Sequence, residues 1–210
     1  MAEPTSVRHA TSADLPSMSE VFYAAFPESV RHYRAEQVHP RAMQDIFAIC
    51  LDAEPEAVFV TEIDHRIVGY IIAPSHLSRL APTAFRHGHL SAMFGRWVSG
   101  QYNLGLPTLR TSITNWFAIL REARQGTELN SDARILSIAV HPDTQGHGLG
   151  KVLMDAGMQY LSTCGVSRIR LEVRPDNPAA MRLYARYGFQ TVGETHDTQG
   201  TWLIMLKELS

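Results

Sequence analysis

The stretch that most constrains this chain runs from Val140 to Lys151, Val-His-Pro-Asp-Thr-Gln-Gly-His-Gly-Leu-Gly-Lys. An apolar run, Ile135 to Val140, leads into it. Leu149, Val152, Leu153, Ala156, Tyr160 and Leu161 follow at steps of three and four, the spacing of an amphipathic helix. Three glycines therefore crowd a strand-to-helix turn. The first N–H groups of a helix have no internal partner and sit at the positive end of its dipole. Gly146, Gly148 and Gly150 carry no side chain to hold a ligand away from that backbone, so the turn is expected to cradle a phosphate. A Walker A loop is excluded because GxxxxGK[ST] is absent, and the glycine spacing is not the GxGxxG of a dinucleotide-binding turn.

Around this turn the alternation of apolar and polar residues predicts an α/β chain. Val7–Ala10 reads as a strand, followed by a polar helix start at Thr11-Ser12-Ala13-Asp14. Met18, Val21, Phe22, Ala25 and Phe26 recur at helical spacing up to Pro27, which is expected to end that helix. Pro40–Leu51 reads as a second helix. Ala57–Ile63 and Ile67–Ala73, separated by Asp64-His65-Arg66, predict an antiparallel hairpin. From Pro74 to about Asp132 no strand is recognisable. Two apolar sets, Leu77 to Val98 and Leu109 to Leu120, suggest inserted helices that pack on the domain or on a second subunit. Arg168–Arg174 alternates strictly and predicts a strand parallel to 135–140, the two joined by the helix that Gly165 ends. Asn177-Pro178 starts a last helix that stops at Gly188, and Thr201–Leu206 closes the sheet against a strand beginning at Phe189.

The run Gln145-Gly146-His147-Gly148-Leu149-Gly150 matches the [Gln/Arg]-x-x-Gly-x-[Gly/Ala] signature of the GNAT acetyltransferases. Leu171-Glu172-Val173-Arg174, with Asn177, Ala179, Ala180, Leu183-Tyr184 and Gly188-Phe189, resembles a second segment of that family, in particular its branch that acetylates ribosomal-protein N-terminal alanines. The resemblance covers about 135–192. It implies the GNAT fold: a mixed, mostly antiparallel sheet with a splayed parallel strand pair and flanking helices, here with a helical insertion over 75–131 of a single 1–210 domain. It also implies acetyl-CoA as cosubstrate, its pyrophosphate on Gln145, Gly146, His147, Gly148, Leu149, Gly150 and Lys151. The pantetheine arm would pair with backbone of Ile138, Ala139 and Val140 and be held by Asn177.

The reaction so implied moves an acetyl group from acetyl-CoA to a primary amine, on a small molecule or a peptide N-terminus, by direct attack on the thioester. By resemblance Tyr184 is the acid that protonates the departing thiolate; Tyr187, three residues on, is the other phenol in reach. Glu172 is the candidate base, directly or through water, although a strand glutamate sharing a face with Arg170 and Arg174 is also a simple ion-pair partner. Glu62 is the other carboxylate to test. An alternative is a non-catalytic acyl-CoA-binding module on the same fold. Trp97, Tyr102 and Trp116 of the insertion either line an acceptor pocket or pack helices.

The 210 residues carry a formal charge of −2, and that balance supplies no basic surface for nucleic acid. No apolar run is long enough to span a bilayer and the start of the chain is not a signal peptide, so no membrane partner and a cytoplasmic location are expected. Cys50 and Cys164 are expected as buried thiols. His87 and His89 have no third ligand at metal spacing, so no metal is expected. The apolar insertion is compatible with a homodimer.

Overall fold

The computed structural model describes residues 6–32, 39–103, 131, 133–197 and 199–209. Strand β1 (Ser6–His9) leads through a 3-10 turn into α1 (Leu15–Ala25) and α2 (Pro27–His32). Then come α3 (Arg41–Ala53), β2 (Val58–Ile63), β3 (Arg66–Ile72), α4 (Leu80–Arg86) and α5 (His89–Val98). The second half supplies β4 (Ser137–Val140), α6 (Leu149–Thr163), β5 (Arg168–Val173), α7 (Pro178–Arg186), β6 (Gln190–Asp197) and β7 (Gly200–Glu208). Pro27 does end α1, but it also opens α2, since proline at a first helical position gives up only an N–H that had no partner there. The second apolar set of the insertion, Leu109 to Leu120 with Trp116, lies outside the described residues.

The strands form two sheets, ordered β1-β2-β3-β4 and β5-β7-β6, with every neighbouring pair antiparallel. The β2–β3 hairpin turns on Asp64 and His65, both at positive φ, as a two-residue loop between antiparallel strands demands. The sheets meet at one parallel bridge between Arg134 and Arg170. There Ile135 N–H donates to Arg170 O and Arg170 N–H to Ala133 O, each at 3.0 Å. Beyond that bridge β4 and β5 are not paired. The expected parallel strands are thus joined at their starts and splayed at their ends.

Two buried clusters hold the layers together. Met18, Val21, Phe47, Ile49, Tyr70 and Leu80 pack α1, α3 and α4 on one face of the first sheet. Ile71, Ile135, Leu153, Leu161, Leu171 and Tyr184 pack α6 and α7 on the other. Gly69 makes this second layer possible. A Cβ there would stand 2.9 Å from Thr61 Cγ2, 3.0 Å from Ala139 O and 3.1 Å from Leu153 Cδ1. A side chain at that position would push α6 off the sheet, and with it the loop that precedes α6.

The described part of the insertion is helical and strand-free, as expected. Tyr102 is buried and its hydroxyl donates to Asp45, so it packs the insertion on α3. Trp97 rests against Phe94. Phe85, Phe94 and Val98 face outward, each more than 60% exposed. Cys50 is buried and burial pushes its thiol up to about 12. Cys164 is exposed, contrary to expectation, because it caps the end of α6 after the last apolar position of that helix.

Candidate active site

Val140 delivers the chain into a 3-10 turn, Pro142–Thr144, and then into the glycine loop. The turn is tied internally. Thr144 Oγ1 donates to His141 O at 3.1 Å, and His141 Nδ1 accepts from Asp143 N–H at 3.3 Å. Gly146 (φ +86°) and Gly148 (φ +79°) take left-handed conformations that an L side chain would strain, and Gly148 caps α6. A Cβ at either would meet no atom within 4 Å, so the space in front of this backbone is open.

Among the described residues, the N–H groups of Gly146, His147, Gly148, Leu149 and Gly150 donate to no protein acceptor; the next, Lys151 N–H, closes the helix on Gly148 O at 3.0 Å. Five consecutive free donors at the start of a fifteen-residue helix form an anion cradle built from backbone. Donors that are unpartnered and unshielded suit an anionic group such as a diphosphate. The side chains of the loop do less. Gln145 turns back, Nε2 donating to Val140 O at 3.1 Å; His147 Nδ1 donates to Thr144 O at 3.1 Å; Lys151 Nζ lies 3.0 Å from Asp155 Oδ2.

Upstream of the loop, β4 changes its hydrogen-bonding face. Leu136 N–H donates to Ile72 O at 2.9 Å, yet Ile72 is paired in register with Ser137, so two residues face one. This is a β-bulge, and it reverses the alternation of the strand. His141 N–H donates to Val68 O at 2.7 Å, which with the register commits Ser137 and Ala139 to β3. The peptide groups of Ile138 and Val140 then face the gap between β4 and β5. Val140 O is already taken by Gln145, which leaves Val140 N–H and both groups of Ile138 as the open edge.

The two tyrosines of α7 separate cleanly. Tyr187 is a staple: its hydroxyl donates to Asp155 Oδ1 at 2.6 Å and lies 3.0 Å from Lys151 O, fixing α7 to the first turns of α6. Burial and Asp155 together raise its phenol above the ordinary range. Tyr184 is buried in the cluster that contains Ile135 and Leu171, with its ring edge-on to Phe189. Its hydroxyl has no hydrogen-bond partner among the described residues, and burial pushes its phenol up to about 12. Asn177 caps α7, Oδ1 accepting from Ala180 N–H at 3.0 Å, which leaves its side-chain NH2 exposed.

Glu172 is engaged. Its Oε1 accepts from Arg170 Nη2 at 2.5 Å and from Arg134 Nη1 at 3.3 Å, and both guanidinium groups are buried. Arg174 is not a partner; it reaches Gln199 O at 2.6 Å and Asp176. Arg170 is a partner that the shared strand face already offered, whereas Arg134 is the residue that the sequence reading passed over. They form the parallel bridge itself, so Glu172 sits where the two sheets begin to part. Glu62 is bound to Arg8 of β1, whose Nε donates to it at 2.8 Å and which also pairs with Asp14 of the following 3-10 turn.

The model of the Acetyltransferase (GNAT) family matches residues 108–189, which include the loop and α7. Over that stretch the chain is similar to the GNAT acetyltransferases. A mycothiol acetyltransferase of Geodermatophilus obscurus is 37% identical over 76 residues, 36% of this chain and 24% of that protein. The match thus spans about a quarter of the length of such relatives. Two solved structures share the fold over nearly the whole chain. SsHAT has a TM-score of 0.71 at 22% identity, covering 97% of this chain and 98% of that one. The ribosomal-protein-S18-alanine N-acetyltransferase from Escherichia coli has a TM-score of 0.52 at 17% identity, covering 99% and 95%. The GNAT fold expected from the second half therefore extends to the first.

Proposed function

We propose that this protein is an acetyl-CoA-dependent N-acetyltransferase that moves the acetyl group to a primary amine by direct attack. The observation that carries the reading is the run of five unpartnered amides, Gly146 to Gly150, beside an open strand edge at Ile138 and Val140. In this reading the cradle holds the diphosphate of coenzyme A. The pantetheine arm extends β4 across the gap, as a peptide strand added to a sheet edge would. Asn177 NH2 is placed to steady the arm. The amine nitrogen attacks the thioester carbon, and the C–S bond breaks as the tetrahedral intermediate collapses. Tyr184 donates its phenolic proton to the departing sulfur, a role suited to a hydroxyl that stays protonated far above neutral pH. Glu172 Oε2, which accepts no hydrogen bond among the described residues, takes the amine proton directly or through water.

One observation favours the alternative, a module that binds acyl-CoA without turning it over: the Glu172 carboxylate already serves as counter-ion to two arginines. Release of free thiol from acetyl-CoA, measured against a panel of small amines and peptides, separates the two readings. Turnover that falls in Tyr184→Phe supports the enzyme. Tight binding with no turnover on any amine supports the module. We read the chain as one domain with a helical insertion over 75–131. Two unpaired cysteines fit a reducing cytoplasm, and among the described residues no helix is long and apolar enough to cross a membrane.

A further inference from the structure

We propose that Asp52, His87 and His89 form a binding site for a zinc-type divalent ion that fastens the inserted helices to α3. The sequence offered only the pair His87 and His89, with no third ligand in reach; the fold supplies it from another helix. Helix α5 lies against α3 and is tied to it at two places. Arg96 Nη1 stands 2.9 Å from Asp45 Oδ2, and His89 Nε2 stands 2.8 Å from Asp52 Oδ2. Seven residues separate the two partners on each helix, two turns, so the helices run antiparallel with their contacts in register.

The α4–α5 turn, with Gly88 at φ +72°, then brings His87 alongside His89. The two imidazole rings stack within 13° with centroids 6.2 Å apart. His87 Nδ1 stands 3.6 Å from the same Asp52 Oδ2 that His89 contacts, and the three ligand atoms all lie within 4.8 Å of one another.

This spacing suits an ion better than a set of hydrogen bonds. A hydrogen bond accounts for His89 on Asp52, but 3.6 Å is too long for one from His87. Tetrahedral zinc with bonds of about 2.0–2.1 Å separates its ligand atoms by roughly 3.3 Å. The two edges to Asp52, 2.8 and 3.6 Å, bracket that value, and the third is no longer than 4.8 Å. Two imidazoles and one carboxylate are a borderline donor set that suits zinc, and cobalt(II) as its spectroscopic substitute. Asp52 and His87 are about half exposed, so an ion enters from solvent and keeps water in its fourth position. The ligands come from α3, from the turn and from the first residue of α5. Occupancy therefore stabilises the packing of the insertion on the body of the protein.

The experiment uses the full chain without a polyhistidine tag, stripped of metal with a chelator. Cobalt(II) is titrated for its visible d–d absorption and zinc by calorimetry. The expected result is one ion per chain, tetrahedral cobalt absorption, and a higher thermal midpoint with zinc. Each of His87→Ala, His89→Ala and Asp52→Ala should weaken binding by about tenfold or more and abolish the thermal shift. Asp52→Asn, which keeps an oxygen acceptor for His89, should lose the ion while retaining the fold. His65→Ala, on the distant hairpin turn, should bind as the parent does. Failure to bind a stoichiometric ion, or binding unchanged in the three ligand variants, overturns the proposal.

Discussion

Replacing Gly148 with alanine tests the cradle without touching any side chain. In the native loop the added methyl would meet nothing within 4 Å, so its only cost is the backbone at φ +79°. An L-residue held in the left-handed region costs about 1–2 kcal/mol. The free loop can relieve that strain by rotating residue 148, which turns the 148–149 peptide out of the cradle. A bound diphosphate must then restore the native conformation and forfeit the same energy. Affinity for coenzyme A should fall by about 5–30-fold. Gly150→Ala is the control. Its Cβ would sit 3.5 Å from Leu183 Cδ2, an ordinary contact, on a residue already inside α6. Helix propensity there favours alanine by about 1 kcal/mol, so affinity should hold and stability should not fall. Calorimetric titration with coenzyme A, paired with urea unfolding of each variant, reads both quantities. If Gly148→Ala binds as the parent does, or Gly150→Ala proves the worse of the two, the backbone cradle is not where the phosphates sit.

Tyr184→Phe should lower kcat by about 10²-fold or more with little change in KM; because burial pushes this phenol up to about 12, the parent rate should show no alkaline fall from this group below about pH 11. Asp14 is held down to about 2 chiefly by its hydrogen bonds from Arg8. The folded carboxylate is favoured over the unfolded one, so its stabilisation is full above about pH 4 and disappears as pH falls towards 2. Asp14→Asn should cost about 1–2 kcal/mol at neutral pH, allowing for solvent at the half-exposed Arg8, and should flatten the acid limb of a stability–pH curve. Gly69→Ala should cost about 1–3 kcal/mol by overpacking, since two of its three near contacts, Thr61 Cγ2 and Ala139 O, belong to the sheet itself; thermal unfolding checks it.

The second half of the chain was legible because its chemistry is local. A glycine loop, a proline-started helix and an alternating strand each declare themselves within a dozen residues, and the structure puts them within a residue or two of where periodicity does. What periodicity does not register is a change of face within a strand. Nothing in Leu136-Ser137 marks the bulge, and without it Ile138 and Val140 would point into the first sheet. Long-range charge pairing was equally hidden. Arg134 and Arg170 are 36 residues apart in sequence, and only the meeting of two sheets makes them a pair around Glu172. The same holds for Asp52, which sits 35 residues before His87 and became its neighbour only when α5 settled on α3.

The Tyr187 staple has a mechanical consequence. It ties the helix bearing Tyr184 to the helix that opens with the amide cradle, and Gly150 seats against Leu183 beside it. In the reaction proposed above, grip on one end of a long cosubstrate and proton delivery at the other would belong to a single lever. The distance between them is set before any ligand arrives, and a donor whose arm is a few bonds too long or too short would be held firmly yet react poorly.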